Sequence, residues 1–482
     1  MDKKFVNNKV KKIKRLYATR IIENIELNFV NIYEKLKDEN SFYYENCYED
    51  NKEEIAYIGR KPIFEIKECD GKYIKFKNSK EIFETNKIEE LDKVIDEFSI
   101  KVDDYDFYCG GYFGYVGYDA ALDYLNIENK VKNIIKMPKI HLIDPSEVLI
   151  YLKKQKKVII IVYSVDKETQ DFNNFSLDKL DYLENIVCNK TILNSEEIKK
   201  NQIQIIANDN LDSYSLKVKK VKEYIENGDI FQAVPSQRKL IRGINNSLEI
   251  FKKMKIINKS PYMYYLNFKE GNIYGASPEL LVKLKRNKYY SCPIAGTRKR
   301  GKDLIEDLSL ERELLNDEKE NAEHIMLVDL ARNDLGKISK VGSVEVSNFK
   351  EIKKFSHVMH ITSIVIGEKD NKFSRFKALL NCLPAGTVSG APKKRAMEII
   401  SEVEKENRGI YGGAICCFPL NGEMDTCIAI RTIIENNNIN YLQAGGGVVY
   451  DSNAKFEFNE TNQKMKVLIE SIKEGKDDNN NR

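Results

Sequence analysis

An α+β fold is predicted for this chain of 482 residues, because strand-like and helix-like segments mix without the repeating βαβ rhythm of a doubly wound sheet. Three observations predict it. Short β-like runs broken by Asp-Gly and Gly-Gly signals extend from Phe42 to about Ile161. A well-bounded helical pattern covers Leu211 to Asn227 and is stopped by Gly228. Gly-punctuated strand-like segments then fill the last third, of which Ile428 to Glu435 and Tyr441 to Tyr450 are the clearest.

In chain order, residues from about 10 to 37 have helical spacing, with Ile13, Leu16, Ile21, Ile25, Val30 and Tyr33 near one face. Within the β-rich part, Val158 to Tyr163 is apolar throughout, short enough for a buried strand and far below the roughly 18 residues of a membrane span. The polar stretch Lys167 to Gln204 is the best boundary between two parts of the chain. In the helix after it, Leu216, Val218, Val221, Tyr224 and Ile225 form the apolar set. A second long helix is expected from Leu308 to about Leu335, stopped by Gly336.

Composition excludes several function classes. Lys plus Arg is 78 against 74 for Asp plus Glu, a net of +4 that makes no case for nucleic acid or an anionic membrane surface. The basic start, Met1 to Arg15, lacks the apolar core of a secretory signal. Nine cysteines without a CxxC pair argue against a disulfide framework or a structural zinc site, and a cytoplasmic location is expected. His141, His324, His357 and His360 are too spread for a metal cluster by sequence. There is no GxGxxG, GxSxG or HExxH motif. Gly386 to Lys393 imitates a phosphate loop only superficially, because its second Gly is followed by Ala391-Pro392.

What remains are polar residues in apolar, Gly-rich surroundings. Glu320 and Glu323 lie one turn apart on a helix, and Glu457 and Glu460 occupy another amphipathic stretch. Such residues are most often a solvated face. If the two pairs met, they would suit Mg²⁺, which keeps waters and takes substrate oxygens. Gly445-Gly446-Gly447 lets backbone amides approach a carboxylate, though a tight turn explains three glycines equally simply. Arg431, flanked by Ile430 and Thr432 in an apolar strand pattern, must be paired, either with a substrate carboxylate or in a structural salt bridge.

Longer motifs carry a resemblance. They are Gly228 to Arg238 (GDIFQAVPSQR), Ser277-Pro278-Glu279-Leu280, Pro293 to Arg298 (PIAGTR), Ala322-Glu323-His324 running to Asp334, Pro384 to Lys393, Arg408 to Gly413 (RGIYGG) and the triple glycine. Together they resemble the chorismate-utilising enzyme family, densely from about Leu211 to Leu468 and loosely over the first 200 residues. The resemblance implies a two-domain α+β fold of stacked antiparallel sheets with outer helices. Its expected parts are a regulatory N-terminal domain over 1–200, a chorismate-binding catalytic domain over 205–473 and a disordered tail over 474–482.

It further implies that Glu323 and Glu460 hold Mg²⁺ against the ring carboxylate of chorismate, with Glu279 the general acid at the C4 hydroxyl. Tyr411, Arg431 and the amides around Gly445, Gly446 and Gly447 would grip the enolpyruvyl carboxylate, while Thr387, His360 and Lys464 line the pocket. Two positions choose the reaction. Isochorismate-forming members carry a Lys base where this chain has Gln232, and Gln cannot deprotonate water, so ammonia is the expected nucleophile. Many aminodeoxychorismate synthases carry a nucleophilic Lys in a PIKGT motif where this chain has Ala295, which favours amination at C2 and the anthranilate-forming branch. Formation of 4-amino-4-deoxychorismate is the runner-up and isochorismate formation the third reading. A non-catalytic sensor of the same fold would have no reason to keep Glu279, Arg431 and both carboxylates together.

Pro261-Tyr262-Met263 resembles the family's tryptophan-binding segment for feedback inhibition. Its N-terminal companion reads Tyr43-Tyr44-Glu45-Asn46, with Asn46 in place of the usual Ser. No Gly-x-Cys-x-Gly nucleophile elbow is present, so a separate glutamine amidotransferase subunit is the expected ammonia source.

Overall fold

The computed structural model describes residues 15–46, 54–96, 107–129, 131–165, 169–189, 203–244, 246–354 and 358–473. His357 and the expected tail 474–482 lie outside the described residues.

Two antiparallel β-layers stack at the centre. One joins Ser41–Asn46 to Tyr262–Phe268, and continues through Gly271–Ser277, Thr432–Asn436, Ile439–Gly445 and Ser236–Arg242. The other runs from Gly111–Val116 through Ala414–Pro419, Met424–Ile428, Leu280–Lys285 and Lys288–Ser291 to Val358–Glu368. Strands from before and after residue 200 therefore share both layers. Two long strands, Ile55–Cys69 and Ile140–Leu152, pair with each other and pass from one layer to the other. The crossing falls where Pro62 faces Pro145 beside a register shift, with Lys61 at φ 54°. Proline lacks the ladder N–H, so a bulge is the one place inside these strands that accommodates it.

Side-chain alternation builds the core. Phe42, Tyr44, Tyr57, Tyr262, Tyr264 and Leu266 point between the layers, against residues such as Phe113, Ile415 and Val282. Their neighbours Tyr43, Ala56, Ile58, Met263 and Tyr265 point outward into a second core. That core is closed by Phe29–Leu36, Thr169–Cys188, Ser247–Ile257 and Ala454–Lys473, through Phe29, Tyr33, Leu183, Phe251, Met465 and Leu468. Both faces of this layer are covered, which is why its strands read as apolar runs instead of alternating patterns. The architecture is the expected one of stacked antiparallel sheets with outer helices.

Several sequence-based expectations are corrected. Within residues 10–37 the described part holds a strand, Leu16–Ile22, and a short helix, Phe29–Leu36. Leu16 to Ile22 pairs along its length with Lys157–Ser164, so sheet pairing overrides the helical spacing. Part of the polar stretch from Lys167 is the helix Thr169–Cys188. The long helix expected from Leu308 is two, Leu304–Asn316 and Glu318–Gly336, each started by an Asp side chain, Asp303 and Asp317, accepting from backbone amides. By contrast, Leu211–Glu226 keeps its expected bounds, with an Asn210–Ser213 capping box and Gly228 at φ +80°, and buries Val218 and Val221, though Leu216 of the expected apolar set is exposed. No helix among the described residues is long and apolar enough to cross a membrane.

Candidate active site

The site lies where the second half of the chain brings four structural segments together. Glu279 sits between the strands Gly271–Ser277 and Leu280–Lys285. Its backbone is pinned by Ile428, whose N–H donates to the Glu279 carbonyl at 3.0 Å, while the Ser277 hydroxyl donates to the Ile428 carbonyl at 2.7 Å. Thr387, on the short turn Gly386–Val388, donates to Glu279 Oε1 at 3.0 Å. Burial pushes the Glu279 carboxyl up to about 7; Thr387 and Lys464 offset only part of that. This side chain holds its proton near neutrality without a carboxylate partner.

Gln232 opens the two-residue strand Gln232–Ala233, which pairs with Gly390–Ala391. Gly390 is required there: its φ is +141°, and an added Cβ would stand 2.1 Å from the Gln232 carbonyl oxygen. The buried Gln232 amide reaches Gly447, where a Cβ would lie 2.4 Å from Nε2.

Arg431 is not inside a strand. The expected run Ile428 to Glu435 is broken into Met424–Ile428 and Thr432–Asn436, and Arg431 occupies the break at φ 51°. The left-handed turn lifts its side chain out of the ladder, toward the helix Ala454–Lys473, where Nη1 donates to the Lys464 carbonyl. Among the described residues no carboxylate stands within ion-pairing distance of Arg431, and burial lowers its pKa. Among the described residues the structural salt bridge that the sequence left open is therefore not formed, although the charge of Glu460 acts on the guanidinium. Lys464 Nζ meets Glu460 at 2.8 Å and donates to the Gly445 carbonyl at 3.0 Å. Tyr411, buried and raised to about 12 by burial, accepts from the Gly445 amide beside them.

The acidic helices feel each other's charge. Glu323 is solvent-exposed, yet partial desolvation and then the like charges of Glu320 and Glu460 raise its carboxyl. Burial likewise raises Glu457, which accepts from Ser452 at 2.9 Å and feels Glu460. Two helices far apart in sequence, Glu318–Gly336 and Ala454–Lys473, thus face carboxylates toward each other. No cluster of three or more His, Cys, Asp or Glu side chains among the described residues forms a ready metal cage. Two hard carboxylates fit an ion that keeps waters and draws its remaining oxygens from substrate.

His360 Nδ1 donates to the Gly296 carbonyl at 2.7 Å, which fixes the ring tautomer, since a carbonyl only accepts. Burial and then Arg431 lower its pKa, so the imidazole is neutral. Ala295 is buried on the neighbouring strand Ile294–Lys299, opposite Ile361. Lys393, the apparent phosphate-loop lysine, is engaged by Asp334 at 2.6 Å and the Cys382 carbonyl at 2.9 Å, a structural role.

The residues expected to respond to tryptophan share one pair of strands but not one face: Met263 packs in the outer core beside Glu45, whereas Tyr262 and Asn46 lie between the layers. Glu45 lies opposite Met263 and Asn46 opposite Tyr262, with Pro261 just before. Glu45 pairs with Lys255 at 2.6 Å, while Asn46 and the Tyr262 hydroxyl both donate to Asp425, at 2.9 and 3.0 Å. Sequence reasoning misses Asp425, whose signal is a lone acid in the apolar strand Met424–Ile428. It also passes over Glu404 and Arg408 as individual side chains, although both are fully buried.

The chain matches the chorismate binding enzyme family over residues 18–470. It is 40% identical over 429 residues to anthranilate synthase component 1 of Acetivibrio thermocellus, covering 87% of each chain. Against the protein of the same name from Lactococcus lactis subsp. lactis it is 38% identical over 447 residues, 91% of this chain and 96% of the relative. A solved anthranilate synthase component I from Streptococcus pneumoniae superposes with a TM-score of 0.77 at 33% identity, covering 93% of this chain and 99% of that one. The menaquinone-specific isochorismate synthase of Escherichia coli, 14% identical with a TM-score of 0.73 over 96% of this chain and 95% of that one, shares the fold.

Proposed function

The chain belongs to the chorismate binding enzyme family, and on that premise we propose that it aminates chorismate at C2 with ammonia and eliminates pyruvate to give anthranilate, the first committed step of tryptophan biosynthesis. The observation that carries this reading is the connected set around Lys464. This residue joins Glu460 and Gly445, its carbonyl accepts from Arg431, and its charge reaches the protonated Glu279.

Glu279 donates its proton to the C4 hydroxyl, which departs as water, and Thr387 orients the acid. Arg431, Tyr411 and the amide of Gly447 bind the enolpyruvyl carboxylate, the Gly446 amide being held by the Pro235 carbonyl at 3.2 Å, and Lys464 and the neutral His360 line the pocket. Gln232 supplies no base to make hydroxide from water, so ammonia, already a nucleophile, attacks C2. Ala295 supplies no side-chain nucleophile to divert the reaction to an amine at C4. Glu323 and Glu460 are the residues that would hold Mg²⁺, whose charge offsets the ring carboxylate when the ion is bound. Ammonia comes from a separate glutamine amidotransferase subunit, the isolated chain using free ammonia, and the reaction belongs to the cytoplasm. Glu45, Asn46, Pro261, Tyr262 and Met263 form the tryptophan-responsive site.

The test is a product assay on the purified chain with chorismate, Mg²⁺ and excess ammonium. Anthranilate fluorescence with stoichiometric pyruvate is the expected result. Aminodeoxychorismate without pyruvate would overturn the reading and show that Ala295 does not select the product.

A further inference from the structure

Around the cleft lies a buried ion pair that, of the proposed substrate groups, reaches only the ring of Tyr411. Arg408, at 2% exposure, donates from Nε and Nη2 to the two oxygens of Glu404, at 3.0 and 2.6 Å. The same guanidinium donates to two backbone carbonyls, Val388 from Nη1 and Val234 from Nη2, both at 2.6 Å. Glu404 Oε1 also accepts from the Ser236 amide at 2.8 Å and its hydroxyl at 2.7 Å. On its faces the guanidinium lies 4.8 Å from the Tyr118 ring centroid and 5.6 Å from that of Tyr411.

The two carbonyls are informative because of what adjoins them. Val388 follows Thr387, the residue that holds the Glu279 carboxyl. Val234 lies two residues beyond Gln232, on the segment zipped to Gly390–Ala391. The Val234 amide itself donates to the Ser389 carbonyl at 2.9 Å. A buried charge pair is a poor way to gain stability, since desolvation costs about as much as the attraction returns. A planar fork, however, fixes two loops at defined angles to each other, which a hydrophobic pair cannot do.

We infer that Arg408, braced by Glu404, is a positioning residue that clamps the Gln232 segment to the Thr387 turn and thereby sets the contact between Thr387 and the Glu279 acid. The inference rests on Glu279 being that acid. The clamp acts through Thr387, whose hydrogen bond favours the ionised form of Glu279, so a loosened clamp lets the acid hold its proton to higher pH. A merely structural Arg408 would lower yield or melting temperature without moving that titration.

The experiment compares pH profiles of kcat/KM for chorismate at fixed free ammonia, in wild type, Thr387→Val and Arg408→Lys. Lys keeps the charge and loses the fork. Thr387→Val is expected to move the alkaline limb upward by about 0.5–1 pH unit, and Arg408→Lys to move it in the same direction, with kcat falling about 10- to 100-fold. If Arg408→Lys does not fold, Ser236→Ala, which removes one bond to Glu404, should give the same shift in smaller measure. A limb that moves in Thr387→Val but stays fixed in folded Arg408→Lys or Ser236→Ala overturns the clamp and leaves the acid in place. A limb that stays fixed in Thr387→Val overturns the assignment of Glu279 and the clamp with it.

Discussion

Replacing Glu279 by Gln should lower turnover by about 10²–10⁴-fold and at the same time stabilise the protein above neutral pH. The native carboxyl is raised from 4.5 to about 7 by burial, so it binds its proton more tightly folded than unfolded. The sign follows from linkage: the stabilisation from this proton is complete below the unfolded value and is lost as pH rises through the folded one. A shift of this size corresponds to about 3 kcal/mol of penalty for the ionised, buried group at alkaline pH. Gln has the same shape and no charge, so the variant escapes the penalty at pH 8.5 and gains nothing at pH 4. General acid catalysis contributes about 10²–10⁴-fold, and its loss sets the expected fall in kcat. In wild type, kcat/KM at constant free ammonia should decline above pH about 7, where the acid form is depleted. The assays are thermal melts of both proteins from pH 4 to 9 and a pH–rate profile of the wild type. A Glu279→Gln protein less stable than wild type at pH 8.5, or a wild-type profile flat from pH 6 to 9, would refute the reasoning.

Other outcomes follow from the same geometry. Arg431→Met should lower kcat/KM for chorismate by about 10- to 100-fold, the worth of a charge-assisted contact. Because Arg431 has no carboxylate within ion-pairing distance among the described residues, the same variant should melt no lower than wild type, which calorimetry can check. Glu323→Gln should raise the Mg²⁺ concentration for half-maximal rate by about 100-fold, measured by metal titration at saturating chorismate. Asn46→Ser releases the bond to Asp425 and should strengthen tryptophan inhibition, read as a lower half-inhibitory concentration in the anthranilate assay.

The local signals that proved legible are those closed within a few residues. The Asn210 cap and Gly228 stop of the helix Leu211–Glu226 are written in the sequence because capping side chains act on amides two or three residues away. The buried strand Lys157–Ser164 was equally plain from its apolar run. The strand Leu16–Ile22 was not, because its spacing suits a helix and only its partner, over a hundred residues on, decides otherwise. Arg431 failed similarly: a positive φ at a non-Gly residue has no signature in an apolar run.

By itself, then, the sequence determined the α+β class, the family through its long motifs and the residue types of the cleft. The proposed choice of ammonia as nucleophile also rests on the sequence, through Gln232 and Ala295, because chemical capacity belongs to a side chain wherever it sits. Only the tertiary structure decided that Glu323 feels the charge of Glu460, that Arg431 has no carboxylate within ion-pairing distance among the described residues and that burial holds the Glu279 proton to about 7. Those properties depend on distance and desolvation between segments remote along the chain, and neither quantity is encoded at any one position.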